Sequence, residues 1–413
     1  MKVLLVNTSE RVGGAAIAAN RLMEALKKHG VTVQMLVRDR QSQQLTVSAI
    51  PTSLLLPLKF LWERLLIFLS NGWKRSTLWS VDIANTGTDI TQMPEFQRAD
   101  VVHLHWVNQS FLSLSDMEKI LRSGKRIVVT MHDMWYFTGI CHYAADCTKY
   151  ESACRECPLM SRVGIDYARR VFDRKQLMYA KQPITFVGCS QWIADLARRS
   201  VLTRGQRVVS IPNAINTDVF SPSDMAEARA KLDLPQFQSL ILFGSQRITD
   251  ERKGFSLLVE SCRILRREHP ELNLGIVVVG GASDTVRDAV PYDVYPVGYQ
   301  SKELDMALLY NAVDAYVTPS LQDNLPNTIV EALACGTPCV GFRVGGIPEM
   351  IDHERNGYVA HYRDAADFAR GILYCLSPER HGQLAAEARR KALATYSEEQ
   401  VAQRYSEIYA GTD

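Results

Sequence analysis

Two carboxylates separated by seven residues stand out in the segment SLQDNLPNTIVEALACGTP, residues 320–338. Asp323 lies in a loop before a predicted helix, and Glu331 lies inside that helix, which ends at a Gly-Thr-Pro stop. Carboxylates accept hydrogen bonds from pairs of hydroxyls, and the N–H groups at a helix start can bind phosphate. The spacing therefore favours a site that holds a sugar and a ribose, with phosphate between them.

Two cations follow a predicted strand in ILFGSQRITDERKG, residues 241–254. Arg247 can bind a diphosphate as a planar fork and Lys253 as a point charge, although a solvated charged turn would have the same composition.

Another loop, with Gly13 and Gly14 after the first predicted strand, would let the backbone approach a ligand. It lacks the third glycine of the dinucleotide fingerprint, and a tight turn without a ligand explains it equally well.

Three histidines accompany predicted strands in the first half of the chain. His132 follows a strand in VVTMHDMWYF. It either contacts a ligand or is a structural histidine whose ring nitrogens are hydrogen-bonded under a loop. His103 and His105 lie on one side of the strand in VVHLHW, because side chains two apart share a face. They are either core residues or residues of an acceptor cleft.

Four of the nine cysteines fall in one short polar loop, as Cys141, Cys147, Cys154 and Cys157. The last two form a C-x-x-C pair, and four thiols in such a loop favour a tetrahedral structural zinc site. A metal would also order a long polar loop that is otherwise hard to fix. Free or disulfide-forming thiols and an iron–sulfur cluster are the alternatives for this cysteine loop, residues 141–157.

Short apolar strands alternate with amphipathic helices along the chain, which predicts parallel sheets covered on both faces. The predicted strands are Val3–Val6, Val31–Val37, Val101–His105, Arg126–Met131, Ile184–Cys189, Ser239–Phe243, Leu274–Val279, Asp293–Val297, Ala315–Thr318 and Pro338–Phe342. Two such arrays predict an α/β fold with two doubly wound, Rossmann-like domains facing a cleft, and ligand at the carboxyl ends of the strands.

The domain boundary is expected in a stretch rich in Pro, Asn, Ser and Asp, residues 208–224. With 413 residues the chain is too long for one ordinary core. We expect a first domain over residues 1–212, which carries the cysteine loop, and a second over 213–395. A final helix in 396–413 follows, and its docking is open on these patterns alone.

Composition narrows the function classes. A net charge of +2 without a long basic run gives no footprint for nucleic acid. The N-terminal apolar run of about five residues is too short for a signal peptide, so we expect a cytosolic protein.

The segment 53–73 is apolar but interrupted by Lys59 and Glu63, and it cannot span a bilayer. It is either a half-buried domain helix or an interfacial helix on a membrane surface.

The motifs also resemble a known family. The strings RKGFSLLVE, LLYNAVDAYVTPS, EALACGTPCVGFRVGGIPEMI and NGYV follow one another in the order of the retaining glycosyltransferases of family four, which have the fold called GT-B. The resemblance covers nearly the whole chain and is strongest over residues 240–360. It implies an enzyme of bacterial polysaccharide biosynthesis, and it implies that the C-terminal helix returns to the N-terminal domain.

The resemblance also implies roles for residues. Asp323 and neighbouring N–H groups would hold the donor sugar, Glu331 the ribose, and Arg247 and Lys253 the diphosphate that leaves. The implied catalytic residues are His132, Asp323, Arg247 and Lys253, and the implied donor-binding residues are Gly14, Arg247, Lys253, Asp323, Asn324, Leu325, Thr328 and Glu331. The family's usual Glu and Gly-Phe-Gly are replaced here by Asp323 and Asn324-Leu325-Pro326, and Pro326 has no N–H to donate.

We therefore expect a retaining transferase of the hexosyltransferase type. It would move a sugar from a nucleoside-diphosphate sugar to a glycan or lipid-linked glycan acceptor. The chain has no D-x-D motif, so we expect no catalytic metal. A nucleotide-sugar epimerase and a non-catalytic nucleotide-sugar-binding protein are the alternatives. The protein would be cytoplasmic, with peripheral contact at the inner face of the membrane if 53–73 is interfacial.

Overall fold

The computed structural model describes residues 1–75, 77–160, 164–247, 250–281 and 287–411, without the side chains of Gln246 and Arg247. The chain divides into two compact units. The first unit contains residues 1–212 and 401–413, and the second contains residues 213–400.

The first unit is built on a seven-stranded parallel sheet in the order β3-β2-β1-β4-β5-β6-β7. Its strands are β1 Lys2–Ser9, β2 Thr32–Asp39, β3 Val47–Ala49, β4 Val101–Leu104, β5 Arg126–Met131, β6 Ile184–Gly188 and β7 Arg207–Ser210. All four residues of β4 are buried, as expected for a parallel strand with both faces covered. The strand order reverses between β1 and β4.

The second unit contains a six-stranded parallel sheet in the order β10-β9-β8-β11-β12-β13. Its strands are β8 Ser239–Arg247, β9 Leu274–Gly281, β10 Asp293–Gly298, β11 Ala315–Thr318, β12 Cys339–Phe342 and β13 Gly357–Ala360. The order reverses between β8 and β11. The predicted class, two doubly wound parallel α/β domains, is confirmed.

Helices connect the strands. Those of the first unit are α1 Gly14–Lys28, α2 Leu55–Ser70, α3 Pro94–Arg98, α4 Leu114–Leu121, α5 Tyr167–Tyr179 and α6 Gln191–Arg199. Those that follow are α7 Met225–Lys231, α8 Phe255–Glu268, α9 Glu303–Asn311, α10 Asn327–Ala334, α11 Ile347–Met350, α12 Ala365–Leu376, α13 Pro378–Tyr396 and α14 Glu398–Ala410. In α1 the buried positions include Ala19, Leu22, Met23 and Leu26, which is the spacing of one helix face.

Helix α14 packs on the first unit. The Tyr409 hydroxyl lies 2.7 Å from Nδ1 of His103, and the Tyr405 hydroxyl lies 2.9 Å from Oγ1 of Thr130. Arg126 donates to the carbonyl oxygen of Tyr409. Both tyrosines are buried, so this helix completes the core beside β4 and β5.

Candidate functional site

Two predicted site residues meet where the strand order of the second unit reverses. Lys253 lies in the loop after β8, and Asp323 lies in the loop after β11. The Lys253 Nζ and the Asp323 Oδ2 are 2.7 Å apart, with 32% and 14% of the two side chains exposed. Ligands of doubly wound sheets bind at such a reversal, outside the carboxyl ends of the strands. The pair therefore lies where a ligand of this fold is expected.

Two glycines hold the loops around this pair. Gly254 has a φ of 67°, and a Cβ built on it would lie 1.9 Å from the carbonyl oxygen of Pro319. Gly345 has a φ of 58°, and a Cβ there would lie 1.7 Å from the carbonyl oxygen of Asp323. Neither position can carry a side chain without moving the neighbouring backbone. The loops after β8, β11 and β12 are thus packed backbone against backbone, which fixes Lys253 and Asp323.

Glu331 lies in α10 and is only 6% exposed. Its Oε2 accepts a hydrogen bond of 2.9 Å from the hydroxyl of Tyr310 in α9. Burial, together with the charge of Glu331, raises the pKa of Tyr310 well above its ordinary value, so the phenol remains a donor. Thr328, one turn earlier in α10, accepts a hydrogen bond of 2.8 Å from the hydroxyl of Tyr316 in β11.

Tyr310 and Tyr316 thus hold two predicted donor-binding residues, Glu331 and Thr328, and the sequence analysis missed both tyrosines. They stand in the string LLYNAVDAYVTPS, where their types and spacing indicate only buried positions of a helix and a strand. A tyrosine rather than phenylalanine at such positions was the available signal, because a buried phenol needs a hydrogen-bond partner.

The other predicted residues of the second unit are Asn324 and Leu325, in the loop before α10, and Arg247, at the end of β8. Asn324 and Leu325 are 3% and 7% exposed, and the N–H of Gly346 donates to the Asn324 carbonyl oxygen at 2.9 Å. Their side chains are therefore packed into the loop before α10. Arg247 ends β8, and its side chain lies outside the described part of the structure.

The reversal point of the first unit, between β1 and β4, carries other predicted residues. Gly14 is exposed and is the first residue of α1, after the N-cap residue Gly13, which has a φ of 96° and no side chain of its own to cap the helix. His105 follows β4 and His132 follows β5. The Nδ1 of His105 and the Nε2 of His132 are 3.0 Å apart, so the two rings form a direct pair. The structure brings together two residues that the sequence treated separately.

Burial keeps these histidines neutral. It lowers the pKa of His132 to about 4 and that of His103 to about 3, and it lowers the pKa of His105 well below its ordinary value. His103 has no exposed surface, and its two ring nitrogens contact the hydroxyls of Thr130 and Tyr409, as in a core residue. Nε2 of His105 is buried and has no hydrogen-bond partner among the described residues.

Asp133, next to His132, is a further polar centre that the sequence analysis did not select. Its carboxylate accepts hydrogen bonds from Trp106 Nε1 at 2.9 Å and from the Trp135 N–H at 2.8 Å, and it lies 2.7 Å from His142 Nδ1. Burial acts to raise its pKa, but His142 and the hydrogen bonds outweigh burial and hold the pKa below the ordinary value. Asp133 therefore fixes the backbone that leads away from His132.

The expected zinc site is not supported. No group of three or more His, Cys, Asp or Glu side chains that could hold a metal exists in the described part of the chain. Cys141 is packed in the core, and burial raises its thiol pKa to about 12; the Sγ of Cys154 accepts the Gly139 N–H at 3.3 Å. All four thiols of the cysteine loop are free.

Lys175 anchors the backbone that leads into the cysteine loop. Its fully buried Nζ donates to the carbonyl oxygens of Trp135, Thr138 and Gly139, at 2.5, 3.2 and 3.2 Å. The ammonium also lies 3.5 Å from the centre of the Trp135 ring. A buried lysine with three carbonyl acceptors orders residues 135–139, just before the cysteine loop.

Two doubly wound parallel sheets, each with polar residues at its reversal point, define the GT-B class of fold. Residues 12–219 match the family model described as Glycosyltransferase Family 4, and residues 238–378 match the model described as Glycosyl transferases group 1. The chain belongs to glycosyltransferase family 4.

Among similar proteins is the D-inositol 3-phosphate glycosyltransferase of Streptomyces avermitilis, 30% identical over 222 residues, covering 49% of this chain and 46% of the relative. The putative colanic acid biosynthesis glycosyl transferase WcaC of Escherichia coli is 23% identical over 321 residues, covering 75% and 74%. The structure of Anabaena HepE in complex with UDP and glucose matches with a TM-score of 0.65, 15% identity and full coverage of both chains, which bears on the fold alone. The chain spans about half the length of the first of these relatives.

Proposed function

We propose that the protein is a retaining glycosyltransferase of the hexosyltransferase type. It moves a sugar from a nucleoside-diphosphate sugar to a glycan or a lipid-linked glycan in surface polysaccharide biosynthesis. The observation that carries the proposal is the Lys253–Asp323 pair at the reversal point of the second sheet, with Glu331 in the following helix. The relative named for colanic acid biosynthesis supports the acceptor class, and the match to the two glycosyltransferase family models supports a nucleotide-sugar donor.

In this proposal the second unit binds the donor. Glu331 accepts hydrogen bonds from the ribose hydroxyls while Tyr310 holds its carboxylate in place. Lys253 lies against the diphosphate and offsets the charge that grows on it as the sugar leaves. Asp323 accepts from hydroxyls of the donor sugar and keeps Lys253 oriented before the donor arrives. Arg247, Asn324, Leu325 and Thr328 complete the proposed donor site.

The transfer itself follows the family's front-face chemistry. The bond between the anomeric carbon and the diphosphate oxygen breaks, and the acceptor hydroxyl oxygen bonds to the same face of that carbon. The acceptor proton passes to the departing diphosphate. The protein stabilises the separated charges, and this differential stabilisation lowers the barrier.

The first unit serves the acceptor side in this proposal. His132 is neutral because burial lowers its pKa to about 4, so it contacts a sugar without contributing positive charge. Its ring nitrogens lie 3.0 Å from His105 Nδ1 and 3.5 Å from Cys189 Sγ. Gly14, at the start of α1, lets a phosphate or hydroxyl approach the helix N–H groups. We also propose that the protein works in the cytoplasm, with peripheral contact to the inner face of the membrane through residues 53–73.

A panel of nucleoside diphosphates and their sugars tests the proposal. We expect one base to raise the melting temperature of the wild-type protein, and one of its sugars to be consumed when a glycan acceptor is added. The product should keep the anomeric configuration of the donor, as read by NMR. Conversion of the donor to an epimer without acceptor would favour an epimerase instead. Tight donor binding with no turnover on any acceptor would favour a binding protein.

A further inference from the structure

Helix α2 carries a continuous apolar face that points to solvent. At about 100° per residue, its large apolar side chains fall within an arc of about 120°. They are Leu55, Leu58, Leu61, Trp62, Leu65 and Leu69, all between 44% and 60% exposed. We call these six residues the apolar face. Adjoining apolar surface extends it, since Leu54 before the helix is 90% exposed and Trp73 after it is 68% exposed.

The charged side of the same helix is turned inward. Glu63 and Arg64 are buried, and Arg64 Nη2 lies 2.6 Å from Glu63 Oε1 and 3.0 Å from Asp82 Oδ2. Arg64 Nη1 also donates to the carbonyl oxygen of Leu78 at 2.9 Å. A helix on an ordinary water-facing surface would have the opposite orientation. The buried Glu63–Arg64–Asp82 cluster therefore holds α2 with its apolar face away from the domain.

The charge beside the apolar face indicates what covers it. Lys74 and Arg75 are exposed and directly follow Trp73. Glu63 is the only acid between residues 53 and 75, and it is buried, so the exposed charge of this segment is purely positive. Leucines and tryptophans on one helix face, next to cations, are typical of helices that lie in the interface of a bilayer with anionic lipids. No helix of the described residues is long and apolar enough to cross a membrane.

We propose that the apolar face lies in the headgroup region of an anionic phospholipid bilayer, with Trp73 at the interface and Lys74 and Arg75 on lipid phosphates. The inference rests on the proposed function in one respect, because a membrane surface is where a lipid-linked acceptor would be met. The inference adds which residues contact the bilayer and which lipid charge they prefer, and the proposed function specifies neither. The helix lies along the surface and does not span it.

Vesicle flotation of the full chain tests the inference. We expect binding to phosphatidylcholine vesicles that contain phosphatidylglycerol, with weaker binding to pure phosphatidylcholine and at high salt. The triple variant Leu61→Gln/Trp62→Gln/Leu65→Gln should lower the partition coefficient by about tenfold or more, because each change removes apolar area from the bilayer. A control triple, Leu45→Gln/Leu177→Gln/Leu304→Gln, alters leucines elsewhere that are more exposed than the test residues and should bind as the wild type does.

A second pair of variants tests the charge. Lys74→Glu/Arg75→Glu should abolish the preference for phosphatidylglycerol, whereas Lys181→Glu/Lys231→Glu, at exposed lysines elsewhere, should retain it. Brominated lipids should quench tryptophan fluorescence in the wild type, and Trp62→Phe/Trp73→Phe should lose most of that quenching. These substitutions leave the buried Glu63–Arg64–Asp82 cluster intact, so unchanged melting temperatures would show that the fold survives.

Several results would overturn the inference. It fails if the wild type does not bind the anionic vesicles, or if the Leu61, Trp62 and Leu65 triple binds them as well as the wild type. It also fails if that triple turns a dimer into a monomer while vesicle binding is absent, because a second copy would then cover the face. Turnover of a soluble acceptor is measured separately. Vesicle binding without any turnover would sink the proposed transferase activity and leave this inference standing. Turnover without vesicle binding would overturn this inference, together with the proposed membrane contact of residues 53–73, and leave the transferase activity standing.

Discussion

Glu331→Gln probes the proposed ribose contact with little change in shape. The glutamine amide oxygen can still accept from Tyr310, now 2.9 Å from the carboxylate, so the helix should remain in place. What is lost is the charge that strengthens hydrogen bonds from the ribose hydroxyls. Hydrogen bonds to charged groups contribute about 1.5–3 kcal/mol and neutral ones about 0.5–1.5 kcal/mol, so loss of the charge should cost about 1–1.5 kcal/mol. The dissociation constant of the nucleoside diphosphate should therefore rise roughly 5–12-fold.

Isothermal titration calorimetry with the nucleoside diphosphate measures this change. Glu260→Gln, at an exposed glutamate of α8 in the same unit, is the control and should bind as the wild type does. Tyr310→Phe should cost about 1 kcal/mol of unfolding free energy, and it should weaken binding less than Glu331→Gln does. Unchanged affinity in a folded Glu331→Gln protein would refute the ribose assignment.

Three other predictions concern charge. Lys253→Ala should lower kcat by about 10²–10³-fold, with little change in nucleoside affinity, because Lys253 acts on the diphosphate; equal losses in both would point to a structural role beside Asp323. Burial lowers the pKa of His132 to about 4, so the imidazole stays neutral at every pH above that value. The pH profile of kcat/KM should therefore show no titration step from His132 between pH 5.5 and 8. A step near pH 6.5 that vanishes in His132→Asn would contradict this. Burial and the nearby Asp82 raise the pKa of Glu63 to about 8. Between about pH 4.5 and 8 the folded state therefore binds one more proton than the unfolded state, and the free energy of unfolding should fall as pH rises through that window. Glu63→Gln should remove the fall in chemical denaturation curves, and an unchanged slope would show that Glu63 is not its source.

The sequence predicted the parts of the site that depend on local signals. The helix after Asp323 spans Asn327–Ala334 and ends before the Gly-Thr-Pro stop, as that signal indicated, so Glu331 lies in a helix and Asp323 in a loop. The two sheets also followed from the alternation of apolar strands and amphipathic helices. The strands β3, β7 and β13 were missed, because three or four residues are too few to show a period.

Contacts between distant residues could not be read in this way. Lys175 lies in α5, where a lysine is ordinarily exposed, and its burial depends on carbonyls about 40 residues earlier. The pairing of His105 with His132 depends on β4 and β5 being neighbours in the sheet. The orientation of α2 depends on Asp82, which lies beyond the helix. Each outcome was set by tertiary structure rather than by local pattern.

The docking of α14 has a consequence for how the chain is made. The ribosome releases β4 and β5 long before it releases residues 401–410, whose tyrosines bind His103 and Thr130. Residues 213–400 are contiguous, and they emerge before the first unit has its last helix. Domains generally fold as units during synthesis, so the second unit can finish while the first still exposes buried polar and apolar surface. A chain truncated after residue 400 and released from the ribosome should therefore hold a protected second unit and a protease-sensitive first unit.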